Sequence, residues 1–316
     1  MKNPLIILTG PTAVGKTELS LRLAKQINGA IISADSMQVY RHMDIGSAKI
    51  MPNEMQGIPH YLVDCIEPDE EFNVTVFQRM AKQALHQIYE NGQIPIVVGG
   101  TGFYVQALLY DIAFTEHPTE TAYRKELEEQ AKIQGIESLH DRLKQVDPKS
   151  AELIHANNVK RVIRALEYYH ETGEPISIHN EREHKRQSPY QSAYYVLTDE
   201  REHLYERINA RVDHMMEQGL VTEVQRLKDS GYHRGMVSMQ GLGYKEILAY
   251  LENEISLEEA VYRIKRDTRH FAKRQLTWFR REQDVCWIDK QTFSYDETAI
   301  LSYLIKDLKE KKIICN

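Results

Sequence analysis

The pattern that most restricts what this chain can fold into is Gly10-Pro11-Thr12-Ala13-Val14-Gly15-Lys16-Thr17, a complete G-x-x-x-x-G-K-[ST] string. An apolar run at residues 5–9 precedes it, and a helical pattern with Leu19, Leu23 and Ile27 on one face follows. Strand, glycine-rich turn and helix in that order predict a phosphate-binding loop. Glycine lets the backbone wrap so that its N–H groups point inward, and the helix N-terminus adds the positive end of its dipole. Lys16 brings a mobile cation, and the Thr17 hydroxyl is a ligand for Mg²⁺. All eight residues are expected around an anion, with Thr17 as the metal-holding position.

Strand patterns at residues 30–33, 60–64 and 94–98 alternate with helical ones, including 75–90. This predicts an α/β fold, a P-loop NTPase-like parallel sheet with helices on both faces. The texture changes near residue 115. Helical patterns at 121–134, 136–145, 149–155 and 159–172 lead into a polar stretch at 180–188, and a strand pattern returns only at 194–198. A P-loop core made of residues 1–115 and 193–316 is therefore expected, with an all-helical insertion domain at 116–192. Helices should follow at 201–218, 221–230 and 244–252. A long one starts at the capping-box string Ser256 to Glu259 and runs to about residue 281. A strand at 285–289 and a helix at 298–309 complete the chain.

In such sheets, ligands collect beyond the carboxyl ends of the strands. Asp35 and Thr101 follow two of the strand patterns, so both should meet the loop. Nucleotide hydrolases usually carry a further Mg²⁺ aspartate at the end of an apolar strand. Here the run at 94–98 ends in Gly99-Gly100-Thr101, and no Asn-Lys-x-Asp guanine signature follows.

Composition matters when partners are considered. The net charge of −6 argues against indiscriminate nucleic-acid binding and leaves room for a local basic surface. Two candidates stand out: Lys160, Arg161 and Arg164 on one helix, and eight Lys or Arg between Arg263 and Arg281 with Phe271, Trp278 and Phe279 interleaved. The second is either a phosphate-backbone surface with stacking partners or a solvated helix whose aromatics face the core. Arg207 and Arg211, one turn apart, could reach a phosphate. Cys65, Cys286 and Cys315 are widely spaced, which suits a reducing cytoplasm, and no apolar run is long enough for a membrane helix.

Taken together, these pieces resemble the tRNA dimethylallyltransferase (tRNA isopentenyltransferase) family. The matching strings are GPTAVGKT, ISADSMQVYRHMDIGSAK, IPHYLVD, VVGGTGFY, NVKRVIRALE, INARVDHMMEQGLVTEV, QGLGYKEI and AKRQLTWFRR, in the family's order along nearly the whole chain. The resemblance implies transfer of a dimethylallyl group from dimethylallyl diphosphate to the exocyclic amine of the adenosine beside the tRNA anticodon (position 37). The P-loop then cradles a diphosphate leaving group. Asp35 would take the amine's proton, Thr101 would help fix the base, and Lys16, Arg211 and Mg²⁺ would meet the diphosphate. Ser36, Met37, Gln38, the 160–164 segment (Lys160, Arg161, Val162, Ile163, Arg164), Arg124, Lys273 and Arg274 would contact the tRNA anticodon stem-loop. A cytoplasmic monomer of the bacterial form is expected, since no Cys/His zinc set precedes Asn316. Two positions depart from the family's habit: Lys160, often Gln, and Phe103, often Leu, the latter expected to alter packing and not chemistry. A small-molecule or nucleoside kinase is the main rival reading, and a non-catalytic tRNA-binding protein is the third.

Overall fold

The computed structural model describes residues 2–114, 122–184 and 186–315. Helix residue Thr121, the boundary at 115–116, and Lys185 of the polar stretch lie outside them. Six strands form one all-parallel sheet in the order β3-β2-β4-β1-β5-β6: β1 (Pro4–Thr9), β2 (Gly29–Ala34), β3 (His60–Tyr61), β4 (Ile94–Gly99), β5 (Gln191–Thr198) and β6 (Val285–Asp289). The β1 run has to be apolar throughout because both of its faces are covered. Leu5 and Ile7 enter one core, and Ile6 and Leu8 enter the other.

The helices before the insertion are α1 (Lys16–Ile27), α2 (Val74–Glu90) and α3 (Gly102–Leu109). A separate compact unit, residues 112–187, carries α4 (Ala122–Gln134), α5 (Ile136–Val146), α6 (Pro148–Leu153), α7 (Val159–Thr172) and α8 (Ile176–His184). Residues 1–111 and 188–316 form the other unit. It resumes with β5 and adds α9 (Arg201–Glu217), α10 (Leu220–Asp229), α11 (Tyr244–Leu251), α12 (Leu257–Phe279) and α13 (Glu297–Glu310). Largely, α2, α3, α10 and α11 cover one face of the sheet, and α1, α9 and α13 cover the other.

Three local departures from the sequence reading have physical causes. The polar stretch at 180–188 is mostly helix α8, whose register is set by buried Asp147: its carboxylate accepts from the N–H and hydroxyl of both Ser150 and Ser177. Strand β3 ends after two residues because Leu62 and Asp64 take positive φ and Asp64 turns to Lys49. Only half of the capping box at Ser256 forms. The Ser256 hydroxyl accepts from Glu259 N–H at 3.2 Å, while the Glu259 carboxylate takes Arg263 instead. Among the described residues, no helix is long and apolar enough to cross a membrane.

Candidate active site

The neighbours β2, β4 and β1 are in register, so that Ala34 lies level with Gly99 and Gly99 with Thr9. The residues that follow, Asp35, Gly100 and Gly10, therefore leave the sheet side by side. A cavity of about 400 Å³ opens at this edge, and among the described residues Asp35 is the one acidic side chain lining it. Thr12, Ala13, Gly15, Lys16 and Thr17 line it from the loop, and Arg211 lines it from α9. Thr101 is not among the lining residues. It precedes α3, with its N–H on the Ala34 carbonyl at 3.3 Å, and Gly99 and Gly100 take the wall beside it.

Two glycines are dictated by this geometry. Gly10 sits so close to β5 that a Cβ would lie 2.5 Å from the Leu197 carbonyl oxygen, and Gly15 begins α1 at φ 102°. A side chain would clash at the first and be strained at the second. Behind the loop, buried Lys290 donates to the Val14 carbonyl at 3.4 Å and pairs with Glu297 at 2.5 Å.

The cavity's cations are already engaged with the loop. Lys16 Nζ donates to the carbonyls of Gly10 (3.0 Å) and Pro11 (2.8 Å). Burial, reinforced by the Arg211 charge and opposed by Asp35, lowers the pKa of Lys16 from 10.5 to about 7. Arg211 donates to the Thr12 hydroxyl at 3.1 Å, and Arg207, one turn earlier, donates to the Ala13 carbonyl at 2.8 Å. Burial also lowers the Arg211 pKa, against the opposing charge of Asp35. These cations have been moved out of water with too little countercharge, a state that an anion would relieve.

Asp35 is held rigidly. Its Oδ1 accepts from the N–H of Met37 (2.8 Å) and Gln38 (3.4 Å), leaving Oδ2 with no bond among the described residues. Gln38 lines the cavity with its amide fixed by Ser33 and by the Ala48 carbonyl, whereas Met37 packs on the core. Ser36, between Asp35 and Met37, is half-buried.

Some site residues were not legible in the sequence. Gln275 of α12 accepts from Thr12 N–H at 2.9 Å and donates to the Gly100 carbonyl at 3.0 Å, locking the P-loop to the β4 loop. Glu223 is 2% exposed and accepts from the N–H groups of Asp44, Ile45 and Gly46 and from the Tyr244 hydroxyl, at 2.8–3.1 Å. It thereby fixes the segment that brings Ser47 to the cavity. Phe271 of α12 and Arg207 complete the lining.

The residues expected to contact tRNA fall into three environments. Lys160 and Arg161 are exposed and Arg164 is half-buried, but Val162 and Ile163 face the core of the helical unit. Those two expected contacts are corrected: the helix has to bury an apolar stripe, so their side chains are not presented outward. Arg124 makes a two-pronged pair with buried Glu167 at 3.0 and 2.6 Å, which commits its guanidinium to the unit's own structure. Lys273 and Arg274 are exposed. The basic run along α12 and just past its end divides in two. Arg263, Lys265 and Arg266 have carboxylate partners and Arg269 has Asn209. Lys273, Arg274, Arg280 and Arg281 have no ion-pair partner among the described residues.

A family model described as IPP transferase matches residues 38–282. The chain belongs to the IPP transferase family. It is 65% identical over 311 residues to the tRNA dimethylallyltransferase of Lachnoclostridium phytofermentans, covering 98% of this chain and 99% of that one. The full-length tRNA isopentenylpyrophosphate transferase of Bacillus halodurans superposes with a TM-score of 0.73 at 45% identity, covering 98% of both chains. A eukaryotic dimethylallyltransferase acting on tRNA gives a TM-score of 0.79 at 31% identity, over 91% of this chain and 74% of that one.

Proposed function

We propose that this member of the IPP transferase family moves a dimethylallyl group from dimethylallyl diphosphate to the exocyclic amine of the adenosine next to a tRNA anticodon. The amine nitrogen forms a bond to the allylic carbon as the carbon–oxygen bond breaks. The electron pair leaves with diphosphate, and the amine's proton passes to Asp35. The observation that carries this reading is one cavity holding a P-loop, buried cations and a single carboxylate. Lys16, Arg211 and the loop N–H groups stabilise the charge that grows on the leaving group. Asp35, fixed by two backbone N–H bonds, gives a weak nucleophile the proton acceptor it lacks. Thr101 would steady the base from the start of α3.

The residues present suit Mg²⁺. No group of three or more His, Cys, Asp or Glu side chains among the described residues is arranged to hold a metal. The donor expected at the loop is the hydroxyl of Thr17, which lines the cavity, while the Thr12 hydroxyl is taken by Arg211. A hard cation that keeps its waters and shares phosphate oxygens fits such a site. When bound, it would neutralise part of the diphosphate charge. The exposed cations of α7 and α12, with Ser36 and Gln38, would receive the anticodon stem-loop, in a cytoplasmic monomer. Incubation with tRNA and carbon-labelled dimethylallyl diphosphate, followed by nucleoside analysis, tests the reading. Label in a modified adenosine supports it. ATP-dependent phosphorylation of a small acceptor, with none of the label in tRNA, would replace it with a kinase.

A further inference from the structure

Gln275 of α12 is 6% exposed, and its side chain reaches the cavity wall in the one amide orientation that its neighbours allow. The amide oxygen accepts from the Thr12 N–H at 2.9 Å, and the nitrogen donates to the Gly100 carbonyl at 3.0 Å. Turning the amide over would set oxygen against oxygen and N–H against N–H. At Gly100, a Cβ would lie 2.0 Å from the Gln275 nitrogen, whereas the Gly10 carbonyl oxygen would stand an ordinary 3.6 Å away. Gly100 does not take a positive φ. It is the Gln275 amide, and not the backbone, that excludes a side chain there.

Thr12 is held from two sides. Gln275 takes its N–H, and its hydroxyl accepts from Arg211 at 3.1 Å. Lys16 donates to the carbonyls of Gly10 and Pro11, the two residues just before Thr12. The stretch 10–12 therefore carries the contacts of both buried cations, and Gln275 fixes where that stretch lies. Donors aimed in advance need no reorganisation when negative charge develops in front of them.

We propose that Gln275 is a positioning residue for the diphosphate: by fixing Thr12 it sets the aim of Arg211, without touching the anion itself. This rests on the proposed diphosphate site, and it ties α12 to the cradle by a route separate from its exposed cations.

Calorimetric binding of inorganic diphosphate with Mg²⁺ reads the cradle without the transfer step. Gln275→Ala should weaken that binding about tenfold, the scale of one well-made hydrogen bond, and leave the affinity for an anticodon stem-loop hairpin unchanged. Gly100→Ala keeps Gln275 but pushes its amide aside, so it should cost the same. The two together should cost no more than either alone. Thr12→Val removes the hydroxyl that Arg211 uses, and in that background Gln275→Ala should add nothing further. If Gln275→Ala does not fold, Gly100→Ala on wild type and on Thr12→Val gives the same reading.

Unchanged diphosphate affinity in Gln275→Ala would overturn the positioning role. An undiminished penalty on Thr12→Val would overturn it in favour of direct contact with the anion. Parallel loss of hairpin binding would overturn it in favour of a strut that merely holds α12. Wild-type protein that binds diphosphate but transfers no prenyl group would overturn the activity and leave the positioning role to the variants. Failure of the wild type to bind diphosphate would reject both.

Discussion

Lys16 and Arg211 are cations taken out of water and tied to the loop that they serve, whereas Lys273, Arg274, Arg280 and Arg281 stand in solvent without ion-pair partners. Two regions of one molecule thus handle negative charge in opposite ways. In the cavity the groups are few, screening is weak and hydrogen-bond geometry is fixed, so the proposed diphosphate would be held by position. At and just past the end of α12, contacts with the proposed RNA would each be weak and salt-screened, and the gain would come from releasing counterions from a long polyanion. An acidic chain can present a local basic surface, because binding depends on where charge sits and not on its sum.

The comparison would break if the two regions could not be separated by substitution. The largest effect is expected at Asp35. Asp35→Ala should cut prenyl transfer about a thousandfold, as removal of a general base does, while hairpin affinity stays within about twofold of wild type. Parallel loss of binding would show that the cavity and the RNA surface are one site. Lys16→Ala should lower transfer about a hundredfold, the scale for losing one charge-stabilising donor, and should abolish product inhibition by inorganic diphosphate. Persistent inhibition would place the diphosphate elsewhere. Replacing Lys273 and Arg274 together by Ala should weaken RNA binding roughly tenfold at low salt and flatten the salt slope by about two. KM for the prenyl donor should not move.

The smallest effect is a proton count. Lys16 has a depressed pKa of about 7 in the free protein, and a bound diphosphate must raise it. Binding therefore takes up a proton above pH 7, and affinity falls as pH rises, by about fivefold between pH 7 and 8 for a group with that pKa. Calorimetry at pH 8 in buffers of different ionisation enthalpy should report nearly one proton taken up by wild type and none by Lys16→Ala. Equal counts for the two proteins would assign the proton to another group.

The same contrast explains what could be read in advance. The P-loop and the placement of Asp35 were legible because local patterns fix them: an apolar run, a glycine-rich turn, a helix face, and the habit of parallel sheets to collect ligands at one edge. Gln275 was hidden because its bond to the loop joins residues 263 positions apart, and nothing near it in the chain marks that contact. Glu223 was hidden because a buried carboxylate satisfied by three backbone N–H groups looks, in sequence, like any acid on a helix. Helix α8 was hidden within the polar stretch at 180–188 because its anchor, Asp147, lies 30 residues from Ser177 and no local pattern marks that contact. Val162 and Ile163 were assigned to the RNA surface along with their charged neighbours, and helical periodicity turns them inward.

The most direct test of the account is the fate of a doubly labelled donor. Dimethylallyl diphosphate carrying carbon label in the prenyl group and phosphorus label in the diphosphate is incubated with the protein, Mg²⁺ and tRNA. The account predicts carbon label in the tRNA adenosine and an equal amount of phosphorus label released as intact diphosphate. Phosphorus label transferred to an acceptor, or released as single phosphate, would contradict it, because the P-loop would then be moving phosphoryl groups and not holding a leaving group.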